Sequence, residues 1–344
     1  MAALVRALAR LAENPRYRAI VAPLVPTSAR FDPGHTAVMM GYDFHLAPDG
    51  PRLIEVNTNA GGIFPAWLAG HPGAPVPQRL QARLRATFAA EIQAHSRGAL
   101  RQPRRVAIID EAPAQQFLYP EMQLFAELFQ AGGVVAAVVD PAQLSASADG
   151  VLLDGARVDL IYNRHCDFYL ETSPLAGLLA AYLAGTVCLT PNPFSYALLA
   201  DKRRLVQWRD VQLLMACGVS DADRELLRQC VPESRLLADA DREQLWRERS
   251  EWVFKPVDRF GSRGVLVGEK MTRGRFEQLA ASTTLVQRLV PPALTEVPGY
   301  GPMKTDIRLY AYRERVLGVT ARLYRGQVTN LRTAGGGFAA VRIV

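Results

Sequence analysis

Hydrophobic and polar positions follow two different patterns in the first part of the chain. Residues 1–11 carry leucine every three or four positions with arginine off that face, which predicts an amphipathic helix. Two apolar runs, residues 39–46 and 52–56, flank a Pro48-Asp49-Gly50 turn and predict a β-hairpin. Residues 78–96 again have one apolar helical face, and we interpret them as a helix that docks between domains.

The pattern changes near residue 104, where short apolar runs begin to alternate with helical segments. This alternation is typical of a parallel α/β sheet. The predicted strands are residues 106–110, 134–140, 158–164 and 187–190, and the predicted helices are residues 121–130 and 175–184. No G-x-G-x-x-G follows the first strand, so a dinucleotide-binding domain is not expected.

Polar residues stand where two of these predicted strands end. Asp110 ends the first strand, and Asn163 and Arg164 end the third. Ligands of open α/β sheets bind beyond the carboxyl ends of the strands. Arg164 could therefore hold a substrate carboxylate, although a solvated loop at residues 163–165 explains the same residues equally well.

Residues 196–344 mix helices with strands. A long helix is predicted at residues 196–217, and shorter helices at 221–230, 239–249 and 275–281. Strands are predicted on both sides of a loop within residues 252–268, and at 284–290, 305–312, 316–324 and 341–344.

The composition is that of an ordinary globular protein, with 21% charged and 49% hydrophobic residues among 344. The net charge of +7 fits a nucleic-acid partner or an anionic small molecule. The basic residues are 36 arginines and only 4 lysines, at positions 202, 255, 270 and 304. A lysine in such a chain is a candidate point charge for phosphate oxygens.

The four cysteines form no C-x-x-C pair and have no histidine at ligand spacing, so the sequence suggests neither a zinc site nor a disulfide framework. Arginines interrupt the first helix, which argues against a signal sequence. The longest apolar run, residues 175–189, is shorter than the about 20 residues that span a bilayer. We therefore expect a cytoplasmic protein with no membrane partner.

A glycine-bearing loop at residues 261–264 is the main candidate for phosphate binding. It joins two predicted strands, and Lys255 ends the first of them. Lys202 opens a predicted helix, where an ammonium group can meet a phosphate. A flexible hairpin loop and a solvated helix start are the plain alternatives.

Oxygen-bearing side chains mark the early hairpin. Glu55 and Asn57 project from the same face of one strand because strands repeat every two residues, and Asp43 lies on the other strand. Such a trio suits Mg²⁺. A turn after an edge strand explains Asn57 and the residues after it without a metal.

Two arginines are predicted on adjacent strands near the C-terminus. Arg308 and Arg322 point to the same side and need anions, since a buried charge is costly unless it is paired. Salt bridges to Asp306 or Glu314 are the alternative to a bound anion. Asn330 and the glycines at 335–337 offer a further polar wall with close backbone approach.

As a set, these motifs resemble the ATP-grasp superfamily of carboxylate–amine ligases, in its glutathione-synthetase-like branch. The resemblance covers nearly the whole chain, although each motif alone is weak. The matching positions are Asp201-Lys202, Lys255-Pro256, residues 261–264, Gln287, Asp306-x-Arg308, Arg322, Asn330 with Gly335-Gly336, and Glu55-x-Asn57 with Asp43.

The order of the motifs differs from the family's, in which the Glu-x-Asn strand comes last. The resemblance therefore implies a circularly permuted ATP-grasp fold of two α+β subdomains, preceded by a Rossmann-like parallel α/β domain, with Met1 near Val344. The implied segments are 1–75 (permuted part of the C-terminal subdomain, with the metal-binding strands), 76–102 (connecting helix), 103–199 (the α/β domain), 200–295 (N-terminal subdomain) and 296–344 (remaining strands of the C-terminal subdomain).

The resemblance also implies an enzyme, an ATP- and Mg²⁺-dependent ligase that forms a C–N bond between a carboxylate and an amine (or a bond to a thiol) through an acyl phosphate. The implied ligand residues are Lys202, Lys255, Gly261, Ser262, Arg263 and Gly264 for the phosphates; Gln287, Arg288, Leu289, Val290 and Glu296 for the adenosine; Asp43, Glu55 and Asn57 for the metal; Arg308, Arg322 and Asn330 for catalysis; and Arg164, Asn163, Gly335 and Gly336 for the substrates.

The expected partners are small-molecule carboxylate and amine substrates, with no nucleic acid, and a homodimer is an open option. Three other functions stay open at this stage. The chain could bind ATP as a regulatory protein without ligating, stop at the acyl phosphate as a carboxylate kinase, or, least in keeping with the motifs, bind nucleic acid through its positive charge.

Overall fold

A computed structural model describes residues 1–259, 261 and 263–342 of the chain. The helices are α1 Ala2–Glu13, α2 Pro15–Val21, α3 Ile63–Gly70, α4 Gln78–His95, α5 Tyr119–Gln130, α6 Ala176–Leu183, α7 Pro193–Ser195, α8 Arg204–Gln207, α9 Val211–Ala216, α10 Asp221–Cys230, α11 Arg242–Arg247 and α12 Arg273–Glu277. The strands are β1 Met40–Ala47, β2 Gly50–Asn57, β3 Arg105–Ile109, β4 Val135–Val139, β5 Leu144–Ser147, β6 Gly150–Leu153, β7 Ala156–Arg157, β8 Leu160–Asn163, β9 Cys188–Thr190, β10 Ser234–Leu236, β11 Trp252–Pro256, β12 Leu266–Val267, β13 Thr284–Arg288, β14 Ala293–Val297, β15 Gly301–Tyr312, β16 Arg315–Tyr324 and β17 Gly337–Ala340.

The largest sheet joins the two ends of the chain. Its strand order is β17-β16-β15-β1-β2, with β14 paired to β15, and all its pairs are antiparallel. The predicted early hairpin is confirmed as β1 and β2, and β1 lies in the interior of the sheet between β2 and β15. Asp43 on β1 therefore faces Glu55 on one side and Arg308 on the other.

A smaller antiparallel sheet faces the first one across a cleft. Its order is β10-β13-β11-β12, and the strands predicted near residues 252 and 284 form its centre. Trp252, Phe254 and Val286 fill its own small core with helices α11 and α12 on that side. This layer carries Lys255 and Gln287 to the cleft.

The segment from residue 103 to 199 contains the predicted parallel sheet, in the order β4-β3-β8-β9. Strands β3, β8 and β9 are buried runs, as expected for parallel strands covered on both faces, whereas the edge strand β4 is only partly buried. Ile109 pairs with Asn163, so the carboxyl ends of β3 and β8 meet at one edge, where Asp110 and Arg164 follow.

Helix α4 packs between the parallel sheet and the large sheet. Leu84, Phe88 and Ile92 are buried in a core that includes residues of the parallel sheet and Tyr310 and Leu317 of the large sheet. Helix α1 packs against the other face of the large sheet, so both ends of the described chain lie on that sheet. The predicted neighbour of Met1, Val344, lies outside the described residues.

Two predicted elements are wrong. The helix at residues 196–217 is interrupted at Asp201, whose backbone is extended (φ −61°, ψ 121°) and whose carboxylate accepts the Arg203 backbone N–H at 3.0 Å. A short polar side chain that bonds its own backbone competes with the helix in this way. The last described strand is Gly337–Ala340; residues 341–342 are not in the strand predicted at 341–344, and residues 343–344 lie outside the described residues. No helix among the described residues is both long and apolar enough to cross a membrane.

Candidate functional site

A cleft of about 570 Å³ lies between the two antiparallel sheets, which is within the range of small-molecule sites. The large sheet contributes Asp43, Glu55 and Arg322, and the smaller sheet contributes Lys255 and Gln287. The wall continues along residues 288–290, at the end of β13. Predicted metal, phosphate and adenine residues therefore share one cavity.

Lys255 connects the two sheets at the floor of the cleft. Its Nζ donates to Gln287 Oε1 at 2.6 Å and to the Ile54 carbonyl at 3.1 Å. Burial lowers the pKa of Lys255 to about 8, although Glu55 and Asp43 oppose the shift, and the charge of Lys202 adds to it. Lys255 therefore lies within electrostatic reach of both Lys202 and Glu55.

Asp43 is the centre of a buried ion-pair network. Arg308 donates to its two oxygens at 2.6 and 2.7 Å, and Arg322 Nη2 lies 2.9 Å from Oδ2. Arg322 also bonds Asp306 at 2.5 and 3.0 Å. Burial alone would raise the pKa of Asp43, but the two guanidiniums lower it to about 2. The predicted alternative of a salt bridge to Asp306 is thus correct for Arg322, whereas Arg308 pairs with Asp43.

Glu55 and Asn57 stand beside this network on β2. Asn57 Nδ2 donates to Asp43 Oδ2 at 3.0 Å and to Glu55 Oε1 at 3.3 Å. Among the described residues, no arginine or lysine forms an ion pair with Glu55. Carboxylate and amide oxygens of this kind fit Mg²⁺, and Glu55 is the one most available. A cation held by Asp43 would have to replace at least one of its bonds to arginine.

The glycine-bearing loop joins β11 to β12 at the edge of the cleft. Gly261 (φ 61°) and Gly264 (φ 75°) both have left-handed backbones that favour glycine. Lys202 Nζ donates to the Arg259 carbonyl and so contacts the start of this loop. Burial raises the pKa of the Cys166 thiol to about 11, and the positive charge of Arg263 opposes this shift. The loop that carries Arg263 therefore lies near Cys166, which follows the parallel sheet. Ser262, predicted to meet phosphate, lies outside the described residues.

The predicted adenosine residues are only partly brought together. Gln287 is buried, and residues 288–290 line the cleft, with Arg288 paired to Glu251. The Val290 carbonyl lies 2.6 Å from His45 Nδ1. Glu296, in contrast, is exposed on β14 opposite Pro302 and is not part of the cleft wall.

Arg164 lies at the far end of the hairpin, where the parallel sheet meets the loop after β2. Its Nη1 donates to the Ala60 carbonyl at 3.0 Å. Glu121 lies nearby and accepts the backbone N–H of Gly62 at 2.8 Å and of Phe64 at 3.2 Å. Burial raises the pKa of Glu121, and Arg164 opposes this shift. Asn163 accepts the His165 backbone N–H at 3.0 Å and so forms a turn.

The other predicted substrate and catalytic positions lie away from the cleft wall. Asn330 is exposed, while its neighbour Thr329 lines the cleft and donates to Asp306 at 3.0 Å. Gly335 and Gly336 make close backbone contacts: an added Cβ would lie 2.4 Å from the Tyr300 ring at Gly335 and 2.5 Å from the Leu323 carbonyl at Gly336.

Sequence reasoning missed several residues at the site. Lys270 and Lys304 line the same cleft as Lys255, so three of the chain's four lysines face it and the fourth contacts its loop. The rarity of lysine in the sequence applies to these two residues as well, but no local motif placed them at the site. Glu121 and His45 carried no signal of this kind, because only the folded chain brings them to the site.

The comparisons with known proteins give likeness in structure alone. No family model matches the sequence, and no curated protein matches it. A solved structure from Methylobacillus flagellatus KT, provisionally named gamma-glutamylcysteine synthetase, matches with a TM-score of 0.55 at 12% identity over 98% of this chain and 87% of that one.

Two further structures match less of the chain. The D-cycloserine synthetase DcsG matches with a TM-score of 0.35 at 16% identity, over 69% of this chain and 71% of that one. The ATP-grasp ligase PsnB, complexed with its precursor peptide PsnA2 and AMPPNP, matches with a TM-score of 0.32 at 18% identity, over 70% and 76%.

The likeness over almost the entire chain shows the fold. The chain therefore shares its fold with the Methylobacillus flagellatus KT structure.

Proposed function

We propose that this protein is an ATP- and Mg²⁺-dependent ligase that joins a carboxylate to an amine through an acyl phosphate. The observation that carries the proposal is the position of Lys255. Its ammonium group bridges the two sheets and shares one cleft with Glu55, Asp43 and Arg322. A compact cation opposite carboxylates and guanidiniums suits a metal-bound polyphosphate better than a neutral ligand.

In this proposal the small sheet binds the nucleotide. Lys255 and Lys202 contact its phosphates, and Gly261 to Gly264 close over them with backbone N–H groups. The adenine lies against residues 288–290, whose backbone follows the buried Gln287. Lys270 and Lys304 line the same cleft and add positive charge.

Glu55 and Asn57, with Asp43, would hold Mg²⁺, which when bound supplies charge neutralisation for the phosphates. Glu55 has no competing ion pair among the described residues, so it is the main ligand. Arg308 and Arg322 form ion pairs with Asp43 and so fix the position of its carboxylate.

The proposed chemistry begins with the substrate carboxylate, whose oxygen attacks the γ-phosphorus and releases ADP. The amine then attacks the carbonyl carbon and phosphate leaves. Arg322 lines the cleft and is positioned to stabilise the transferred group, while Arg308 holds Asp43. Positioning and charge neutralisation provide most of the catalysis in such reactions.

The substrate enters, in this proposal, from the side of the parallel sheet. Arg164 and the loop after β2 meet there, and the glycine loop approaches Cys166 at the same edge. We assign Arg164 to a substrate carboxylate or to the positioning of the loop that binds it.

We also propose that the chain is a circular permutant. The support is the place of β1 and β2, which come first in the sequence yet pair with β15 from the other end. Chain termini that lie close together on a surface make such rearrangement tolerable.

The test is ADP and phosphate release with pooled amino acids and amines as acceptors, with mass detection of the product. We expect ADP release that requires a carboxylate and Mg²⁺, and a condensed product when an amine is present. An acyl phosphate or hydroxamate without condensation would identify a carboxylate kinase. ATP binding without ADP release for any pair would contradict the proposal and favour a regulatory protein.

A further inference from the structure

A second group of side chains suited to a metal lies outside the cleft. His35 precedes β1, His95 is the last residue of α4, and Cys188 is the first residue of β9. Their ligand atoms all lie within 4.8 Å of one another, and His35 Nε2 is 3.9 Å from Cys188 Sγ. His35 and Cys188 are buried, and His95 is half-buried at the edge of the cluster.

Glu91 fixes the orientation of His35. Its Oε2 lies 2.9 Å from His35 Nδ1, which leaves Nε2 directed toward Cys188. Glu91 is itself fixed because its carboxylate accepts hydrogen bonds from Thr36, Thr190 and Tyr312 at 2.8 to 3.1 Å. A carboxylate behind a histidine is the usual support of a metal ligand, since it holds the ring and increases its basicity.

The geometry and chemistry favour zinc. Zinc takes histidine nitrogen at about 2.0–2.1 Å and thiolate sulfur at about 2.3 Å in a tetrahedron, so neighbouring ligand atoms lie about 3.3–3.6 Å apart. The cluster would need to contract by a few tenths of an ångström at the His35–Cys188 edge. The thiolate and Glu91 together balance the two positive charges of the ion.

A polar network without a metal explains only part of the cluster. The bond between His35 and Glu91 satisfies both groups on its own. Among the described residues, however, His95 contributes only a ring contact to His35, and the Cys188 thiol has only the long contact to His35. Neither contact explains why two further ligand-type side chains from separate elements converge on the same point.

We propose that His35, His95 and Cys188 bind one Zn²⁺, with Glu91 as a positioning residue and the fourth place taken by water. The ion would tie the segment before β1, the connecting helix α4 and the parallel sheet together. This role is structural and independent of the proposed ligase reaction.

The test uses the full chain, made metal-free with a chelator that is then removed, and given one equivalent of Zn²⁺ or Co²⁺. We expect one bound metal per chain by elemental analysis, and a thiolate-to-cobalt charge-transfer band in the near ultraviolet. His95→Ala and Cys188→Ser should each lose the band, and Glu91→Gln should weaken metal binding about 10- to 100-fold. The matched controls are Cys217→Ser, another buried cysteine, and His71→Ala, an exposed histidine.

Two results would overturn the proposal. One is an unmodified chain with no cobalt charge-transfer band after titration, which is decisive even if the variants fail to fold. The other is the same metal content in the unmodified chain and in His95→Ala. Chelator treatment should also lower the melting temperature of the unmodified chain and leave that of His95→Ala unchanged.

Discussion

Asp43 and Arg308 form a two-point ion pair between neighbouring strands although 265 positions separate them in the sequence. Arg308 reaches Asp43 because β1 is inserted beside β15, and the same register places Glu55 on the other side of Asp43. The ion pair thus joins the early hairpin to the C-terminal sheet at the point where the cleft begins.

Replacement of Asp43 by asparagine should destabilise the protein strongly. Asp43→Asn leaves Arg308 buried without its anion and Arg322 with only Asp306. Removal of one partner of a buried ion pair costs about 3–5 kcal/mol. Urea denaturation should show this loss, while Asp223→Asn, which removes the exposed partner of Arg10, should cost no more than about 1 kcal/mol. Equal effects of the two variants would contradict the central role of Asp43.

Glu55→Gln should abolish ATP turnover while the fold stays intact. The amide keeps the shape of the side chain and removes the charge that we assign to Mg²⁺. Because no described cation pairs with Glu55, we expect little change in the free energy of unfolding. ADP release measured over a range of Mg²⁺ concentrations checks this, and unchanged Mg²⁺-dependent activity would defeat the metal assignment.

The activity should fall as the pH rises through about 8. Lys255 has a pKa of about 8 in the folded chain and an ordinary value of 10.5, so its positive charge is lost early on the alkaline side. The pH profile of kcat/KM for ATP reports ionisations of the free enzyme. A Lys255→Arg variant that retains activity should lose this alkaline limb, because arginine stays charged.

The lowered pKa of Lys255 also makes the free energy of unfolding depend on pH. The unfolded chain binds a proton at Lys255 more readily than the folded chain between pH 8 and 10.5, so this residue makes stability rise with pH across that window. Lys255→Met should remove this contribution. If the free energy of unfolding of Lys255→Met rises with pH between 8 and 10.5 as much as that of the unmodified chain, the ionisation of Lys255 is not linked to folding.

Asp110→Asn should stabilise the protein near pH 7. Burial raises the pKa of Asp110 to about 6 against the opposing charge of Arg164, so the folded state disfavours the ionised form. A raised carboxyl pKa makes stability fall as the pH rises from about 4 to 6. At about 1.4 kcal/mol per pKa unit, the gain from Asp110→Asn is at most about 3 kcal/mol at pH 7 and should shrink toward pH 4. Thermal melts at several pH values test the trend, and a loss of stability at pH 7 would count against it.

Gly62→Ala should destabilise the chain more than Gly34→Ala. Both glycines have positive φ, 114° and 74°, so both substitutions strain the backbone. A Cβ at Gly62 would also lie 2.0 Å from the Phe338 ring, whereas nothing lies within 4 Å of a Cβ at Gly34. The difference between the two melting temperatures isolates the contact of this loop with β17. Equal shifts would mean that Phe338 moves aside without cost.

The sequence was informative wherever local pattern decides structure. The hairpin, the parallel sheet and the strand ends at Asp110 and Asn163 follow from alternation and apolar runs, and the structure confirms them. The helix predicted through residue 201 failed because Asp201 bonds the backbone of Arg203. Such a local bond is not visible in apolar periodicity.

Contacts between distant parts of the chain limit how much of the site can be predicted from the sequence. The rarity of lysine pointed to Lys202 and Lys255 and applied equally to Lys270 and Lys304, although no local motif surrounds the last two. His35 and Cys188 lie 153 positions apart, so ligand spacing along the chain could not reveal their proximity. The pairing of Arg308 with Asp43 instead of a neighbour has the same origin.

The position of β1 between β2 and β15 also determines when the large sheet can form during synthesis on the ribosome. Residues 40–57 are synthesised well before their partner strand at 301–312, because the whole segment between them must be made first. Until then the hairpin has an unpaired edge that can join another chain. The nascent protein is thus exposed to aggregation while the residues between these two strands are synthesised, and slow folding is expected for so distant a contact.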